Sequence, residues 1–414
     1  MTSVYLLRQG CAATQADSEY MQGLLKEARF ALASTLEEAD LVVCTTCRTR
    51  ESSEDFFRRL EELQAQYPYK ILVGAGCFSL NDKHKEKQKE KQKDKQKLKR
   101  YPLIATLQIH RIVEVVEEAL HNNCIQALEN EGMPPLHLPK VRKSPLIEII
   151  PIGRGCLGTR ASYPLEEIVE QAKRALAEGV KEIFLTSPDT LGYGFEMGTN
   201  LARLLKELIA LSGDFKIRMG KGSPSSLNSF FPEFLPLLAQ EKIFRFLHLS
   251  AFSGSTRVLR ELKRGHTAQE YIEMVQEIRK VVSDFHLVAD ILVGFPTETE
   301  EDHWETLNLL RKTTPDEVHL VQFRGMTALP AEVLAHRTKV LTDLSHNLAS
   351  LQNERWKQWE GNILIEESGP EPGQWIGRNL SYKPIRVEGN FKLGDVVKVQ
   401  IEKTTREELK GIAR

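Results

Sequence analysis

Between Ile147 and Gln322, apolar runs of strand length alternate with helical stretches, and that alternation constrains the chain more than any other feature. The strand-like runs are Ile147 to Ile152, Glu182 to Thr186, Lys216 to Met219, Phe244 to Leu249, His286 to Val293 and Glu317 to Gln322. The helical stretches are Leu165 to Glu178, Leu201 to Leu211, Leu227 to Ala239, Ala268 to Val282 and Glu300 to Arg311. Strands joined through helices lie side by side in a parallel sheet, because each helix carries the chain back to the edge where the next strand starts. Six such units predict an open or partial parallel barrel, with its chemistry at the carboxyl ends of the strands.

The same pattern opens the chain. Val4 to Leu7, Leu41 to Val43 and Ile71 to Gly74 have strand length, and Asp17 to Ala33 and Arg50 to Gln66 between them have helical periodicity. Tyr101 to Leu120 resumes it, ending in an amphipathic helix from His110 to His121, and Asn130 to Lys143, with three prolines, reads as a linker. Beyond a long helix from Ala331 to Trp359 come short alternating strands, Asn362 to Glu366, Trp375 to Tyr382, Ile385 to Val387 and Val396 to Glu402, which predict a small all-β barrel. The expected domains are therefore residues 1–130, a linker over 131–145, a partial barrel over 146–359 and a β-barrel over 360–414. A composition 41% apolar and 27% charged supports that many separate cores.

A low-complexity block, KEKQ-KEKQ-KDKQ-KLKR from Lys85 to Arg100, interrupts the first domain. It reads either as a solvated loop or frayed polar helix, or as a flexible basic arm that adds phosphate contacts. With a formal net charge of -1 overall, the chain outside this block is acidic, so any nucleic-acid contact must come from local patches. The amino-terminal residues Met1 to Arg8 lack a charged-then-apolar leader and no apolar run is long enough to span a bilayer, so a cytoplasmic protein is expected.

Six cysteines, at 11, 44, 47, 77, 124 and 156, are too sparse for a disulfide scaffold. Cys11, Cys47 and Cys77 each follow a predicted strand, and loops at the carboxyl ends of parallel strands converge on one edge. Three readings stand: a shared cluster site, unligated core cysteines, or a redox or half-zinc pair from Cys44-Thr-Thr-Cys47, for which no second close pair completes a zinc site.

Several stretches carry a family resemblance. Leu138 to Gly158 (LPKVRKSPLIEIIPIGRGCLG), Ser162 to Glu167, Gly10-Cys11 with Asp17-Ser18-Glu19, Thr45-Thr46-Cys47 with Glu54, and Gly76-Cys77 resemble the radical-SAM methylthiotransferases. The branch most similar is the archaeal and eukaryotic one that converts N6-threonylcarbamoyladenosine beside the tRNA anticodon to its 2-methylthio derivative. The resemblance implies an auxiliary 4Fe–4S cluster on Cys11, Cys47 and Cys77, with one iron left open for sulfur; Thr14 and Thr45 stand where the family has Asn. Leu185 to Thr190 with Tyr193-Gly194, Lys263-Arg264-Gly265 and Asp290 to Gly294 are similar to its S-adenosylmethionine and substrate face, implying Asp189, Tyr193, Asp290 and Gly294 as cofactor contacts. Asp189 and Asp290 also fit as plain helix caps.

Gly361 to Gly411 resembles the TRAM domain, an OB-like barrel that holds tRNA. Arg378, Lys383, Arg386, Lys392 and Lys398 would meet phosphates, and Trp375 and Tyr382 would stack on bases; a plain β-barrel with solvated lysines is the alternative. Implied partners are the tRNA anticodon stem-loop and a sulfur donor.

One motif departs from the family. Its radical-cluster cysteines are spaced C-x3-C-x2-C, and from Cys156 the next two fall on Arg160 and Tyr163, neither of which ligates iron as a thiolate does. The family pattern is shortened between Gly158 and Ser162. Cys156 is then the sole radical-cluster ligand, no catalytic residue is assigned, and methylthiolation is not expected from the chain as written. The alternatives are a tRNA- or iron-sulfur-binding pseudoenzyme, and a family enzyme acting on isopentenyl-adenosine or a ribosomal protein.

Overall fold

The computed structural model describes residues 1–47, 51–77, 100–129, 132–155, 161–323 and 329–414. Cys156, Arg160 and the Lys-rich block up to Lys99 lie outside the described residues. The chain divides into two compact units, Met1–Lys143 with Ile149–Gln171, and Ser144–Glu148 with Ala172–Arg414.

In the first unit, β1 (Ser3–Leu7), β2 (Ala31–Leu32), β3 (Leu41–Thr46), β4 (Ile71–Gly76), β5 (Leu103–Ala105) and β6 (Gln126–Ala127) form a parallel sheet in the order β2-β1-β3-β4-β5-β6. The period of two in β3 sends Leu41 and Val43 into one core and Val42 and Cys44 into the other, so every position of the strand is buried. Helices α1 (Ala12–Glu27) and α3 (Ile112–Leu120) cover the first face through Tyr20, Met21, Leu25, Val115 and Val116. Helix α2 (Ser53–Gln66) covers the second through Phe56, Phe57 and Leu60, and Ser52 caps it by accepting the Asp55 N–H at 3.0 Å. Strand order runs outward in both directions from the β1–β3 pair, which makes that pair the topological switch point where such sheets bind ligands.

The chain crosses between units within β7 (Ile147–Pro151) and, after an antiparallel pair of β8 (Gly153–Arg154) with β9 (Ala161–Ser162), within α4 (Leu165–Ala177). The second unit continues with β10 (Glu182–Thr186), α5 (Leu201–Ile209), β11 (Lys216–Met219), α6 (Pro224–Asn228), α7 (Phe231–Leu238), β12 (Phe246–Phe252), α8 (Thr256–Glu261), α9 (Ala268–Val281), β13 (His286–Val293), α10 (Glu300–Thr313) and β14 (Glu317–Gln322). Strands β10 and β11 pair in parallel, as do β12, β13 and β14, and bridges at Ile217–Ile243 and Gly222–Leu249 join the two sets. This is the expected open barrel. The single helix expected over Leu227 to Ala239 is instead broken at Ser229–Phe230, where Pro232 begins a new helix rather than continuing the old one.

Helix α11 (Ala331–Glu354) leads to a closed barrel of β15 (Glu360–Ser368), β16 (Gln374–Arg378), β17 (Pro384–Glu388), β18 (Val396–Thr404) and β19 (Leu409–Ala413), in the order β15-β16-β17-β19-β18. Ile363, Ile365, Ile385, Val387, Val399 and Ile401 fill it, with Trp356 from the chain just before β15. Among the described residues, no helix is long and apolar enough to cross a membrane.

Candidate functional site

Cys11, Cys47 and Cys77 follow β1, β3 and β4, three neighbouring strands, at their carboxyl ends. Cys11 occupies the N-cap of α1, where the helix dipole favours a thiolate. Gly10 holds φ at +147°, and a Cβ there would fall 2.6 Å from Thr14 Oγ1; Gly76 holds φ at +133°, and a Cβ would fall 2.2 Å from Thr46 O. Both glycines are therefore required to bring the adjacent cysteine into place. Thr45 Oγ1 accepts the Gln9 N–H at 2.8 Å and lies 3.0 Å from Gln9 O, tying the end of β3 to the loop that carries Cys11. Cys77 N–H donates to Thr46 O at 3.4 Å, and Thr14 Oγ1 lies 3.7 Å from Cys11 Sγ.

A hydrogen bond with Cys47, and then burial, push the Cys11 thiol far above the usual thiol range. Two facing thiols resist ionising unless a metal replaces their protons. A cavity of about 630 Å³ opens beside them, lined by Arg8, Gln9, Gly10, Cys47, Glu51, Asp55 and Arg58. Cys44 faces the α2 core instead, and burial pushes its thiol up to about 12.

The segments flanking Cys156 are fastened to the same unit. Arg154, buried, donates from Nη1 to Asp17 Oδ1 (2.6 Å) and to Thr106 O (3.0 Å), and from Nε to the Tyr163 hydroxyl (2.8 Å). Tyr163 Oη donates in turn to Pro134 O at 2.7 Å. Burial raises the Asp17 carboxyl, against the lowering effect of Arg154. Tyr163 is thus a hydrogen-bonded core residue whose oxygen is already engaged, and it does not fit as a cluster ligand. Glu19 similarly holds the Leu138 to Lys143 stretch, through Lys140 Nζ (3.4 Å) and the Lys143 N–H (3.1 Å).

In the second unit, Asp189 accepts the Ser223 N–H at 2.9 Å and the Ser226 hydroxyl at 2.7 Å, which places it at the start of α6 as a cap. Tyr193 is buried, and Gly294, just past β13, holds φ at +83°. Asp290 lies inside the barrel on β13, with Oδ1 2.8 Å from His248 Nε2 and Oδ2 accepting from Ser250 Oγ (2.8 Å) and Lys221 Nζ (2.6 Å). Burial opposes ionisation, but His248 and Lys221 outweigh it and hold the carboxyl well below its ordinary range. His319 completes this group, its Nδ1 3.7 Å from Asp290 Oδ1. Sequence reasoning missed His319, which lies on β14, a different strand from Asp290, so no spacing joins them. Thr297 donates to Glu261 at 2.5 Å and so anchors the turn after β13.

In the closed barrel, Lys392 and Lys398 are exposed, Arg386 pairs with Glu408 at 2.6 Å, and the half-buried Trp375 donates to Gly389 O at 3.1 Å. Two expected RNA contacts need correction. Lys383 is 4% exposed, its ammonium held by Asp316 at 2.9 Å and Asn353 at 3.1 Å, so it is not open to a phosphate. Tyr382 is also buried, with the Arg218 and Arg378 guanidinium groups 4.5 and 4.3 Å from its ring centroid, so its ring is not open to a base. Arg378 is bound to Glu366 at 3.0 Å.

That network yields a pH prediction. Burial, and then the charge of Glu182, push the Glu366 carboxyl up to about 8, partly offset by Arg378 and Arg218. A carboxyl that holds its proton more tightly when folded contributes most below its unfolded pKa, and loses that contribution as pH rises through its folded value. Stability should therefore fall between about pH 4.5 and pH 8, by about 1.4 kcal/mol per unit where only this group titrates. Glu366→Gln should raise the melting temperature at pH 8.5 and leave it nearly unchanged at pH 5; equal shifts at both would remove Glu366 as the cause.

The folds and sites define a chain with a radical-SAM-type barrel, a three-cysteine α/β unit and a terminal β-barrel. The chain matches the Radical SAM superfamily over residues 155–310, the uncharacterized protein family UPF0004 over 3–96 and the TRAM domain over 360–413. It is 34% identical to the threonylcarbamoyladenosine tRNA methylthiotransferase of Drosophila melanogaster, over 92% of this chain and 72% of that one. It is 31% identical to a probable enzyme of the same name from Methanothermobacter thermautotrophicus, over 94% and 95%, and 30% identical to that of Homo sapiens, over 99% and 73%. The chain belongs to the threonylcarbamoyladenosine tRNA methylthiotransferase family. That membership supports an iron–sulfur cluster and S-adenosylmethionine as cofactors in general terms.

Proposed function

We propose that this chain binds tRNA carrying N6-threonylcarbamoyladenosine beside the anticodon, holds one 4Fe–4S cluster on Cys11, Cys47 and Cys77, and does not itself perform the radical step of 2-methylthiolation. The observation that carries this reading is the thiolate count after β8, where Cys156 is the only cysteine and the hydroxyl of Tyr163 is committed to Arg154 and Pro134. When bound, a cluster held by three thiolates supplies one open iron to a sulfur ligand. The chain's own contribution is to set the three thiols on adjacent strand ends, with the α1 N-terminus and Arg8 lending positive potential to an anionic cluster.

The TRAM match supports tRNA binding. Lys392, Lys398 and Arg386 supply phosphate contacts and Trp375 a stacking surface in this reading, and Asp189, Tyr193, Asp290 and Gly294 are the barrel residues that the family likeness assigns to S-adenosylmethionine or the modified base.

Anaerobic reconstitution followed by iron and sulfide counting tests it. One cluster per chain is expected, lost in Cys47→Ser, with tRNA binding retained in that variant. Two clusters per chain would show that Cys156 recruits a second one and would end the non-radical reading. A chain with no affinity for tRNA would end the binding reading.

A further inference from the structure

We propose that His248, Asp290 and His319 form a binding site for a divalent first-row transition ion, Zn²⁺ by preference, inside the second unit and independent of any cysteine. One donor atom from each residue lies within 4.8 Å of the others. The parallel register sets Asp290 opposite His319 on β14, while His248 comes from β12 on the other side of β13. Three adjacent strands thus each contribute one ligand from a rigid sheet.

The carboxylate is oriented for the task. Ser250 and Lys221 engage Oδ2, which leaves Oδ1 turned toward both imidazoles, 2.8 Å from His248 Nε2 and 3.7 Å from His319 Nδ1. Ligand bonds of about 2.0–2.2 Å to nitrogen and oxygen require donors a little over 3 Å apart, so an ion between them calls for only small side-chain movements. His319 Nε2 lies 3.6 Å from Glu317 Oε2. A carboxylate behind a ligating histidine fixes the ring and raises its basicity.

Two histidines and one carboxylate suit zinc or ferrous iron and leave further positions for water or a substrate oxygen. His319 is half-exposed, which gives the ion a way in. Lys221 is the competing feature: its ammonium already neutralises Asp290 Oδ2, and an ion must bind within a few ångströms of it. The donor set compensates with two neutral nitrogens and the free Oδ1.

The test uses the full chain with its cluster in place, stripped of loosely held metal and titrated with Co²⁺ and then Zn²⁺. One cobalt per chain is expected, with weak visible bands and no near-ultraviolet thiolate charge transfer. His319→Ala, at an exposed position with little packing to lose, should abolish binding while cluster iron stays unchanged. Glu317→Gln, which keeps all three ligands, should weaken it about 10-fold. No retained ion in the unsubstituted chain, a thiolate signature, or unchanged stoichiometry in His319→Ala would each overturn the assignment. Tryptophan fluorescence and far-ultraviolet circular dichroism of His319→Ala show that the fold survives, so loss of the ion reports on the ligand.

Discussion

Reconstituted under anaerobic conditions and given S-adenosylmethionine with a low-potential reductant, the chain is expected to release no 5′-deoxyadenosine above a protein-free control, and to leave its tRNA without a methylthio group. Reductive cleavage of a sulfonium requires an iron–sulfur centre held by three protein thiolates. The segment past β8 offers Cys156 alone, and the other five cysteines are committed by position: Cys11, Cys47 and Cys77 to the carboxyl edge of the first sheet, Cys44 to a core, and Cys124 to the amino end of β6. Tyr163 cannot stand in, since its phenol lies in a buried chain of hydrogen bonds and burial raises its pKa. The rest of the barrel keeps its framework, with the Ser253-Gly254-Ser255 turn gripping α10 through Thr306 and Asp302. A variant in which the Gly155 to Ser162 segment is replaced by one with the family's C-x3-C-x2-C spacing should therefore gain 5′-deoxyadenosine release. Release by the unaltered chain would sink the thiolate argument outright.

Much of the architecture was legible because period and length coincide with element type. Each expected barrel strand appears, since runs such as His286 to Val293 are too short and too β-branched for a helix and are bounded by polar turns. Strands β2, β5 and β6 were not legible, because two or three residues carry no period. Sites were harder to read. Lys383 and Lys398 are the same residue type in the same barrel, and only the tertiary pairing with Asp316 buries one while the other stays exposed. His248, Asp290 and His319 belong to three separate strands, so no spacing links them; the sheet register does.

Replacing Arg154 with alanine is expected to destabilise the first unit by about 3–5 kcal/mol, among the largest effects a single substitution can have here. The substitution takes a donor from three groups, Asp17 Oδ1, Thr106 O and the Tyr163 hydroxyl, and opens the space of a buried guanidinium. Asp17 suffers most, because burial already disfavours its charge and Arg154 is the main group that offsets that penalty. Without the guanidinium it takes up a proton, and the cost becomes pH-dependent with a definite sign. A carboxyl whose folded pKa lies above its unfolded value contributes below the unfolded value and loses that contribution as pH rises through the folded one. Arg154→Ala should therefore be least harmful near pH 4.5 and worsen toward pH 7.5 in urea unfolding. Arg154→Ala combined with Asp17→Asn should recover part of the loss at pH 7.5, since it removes the unpaired charge while leaving the cavity. If the double variant is no more stable than the single one there, packing of the guanidinium and not its charge holds α1 to the Gly153–Tyr163 segment.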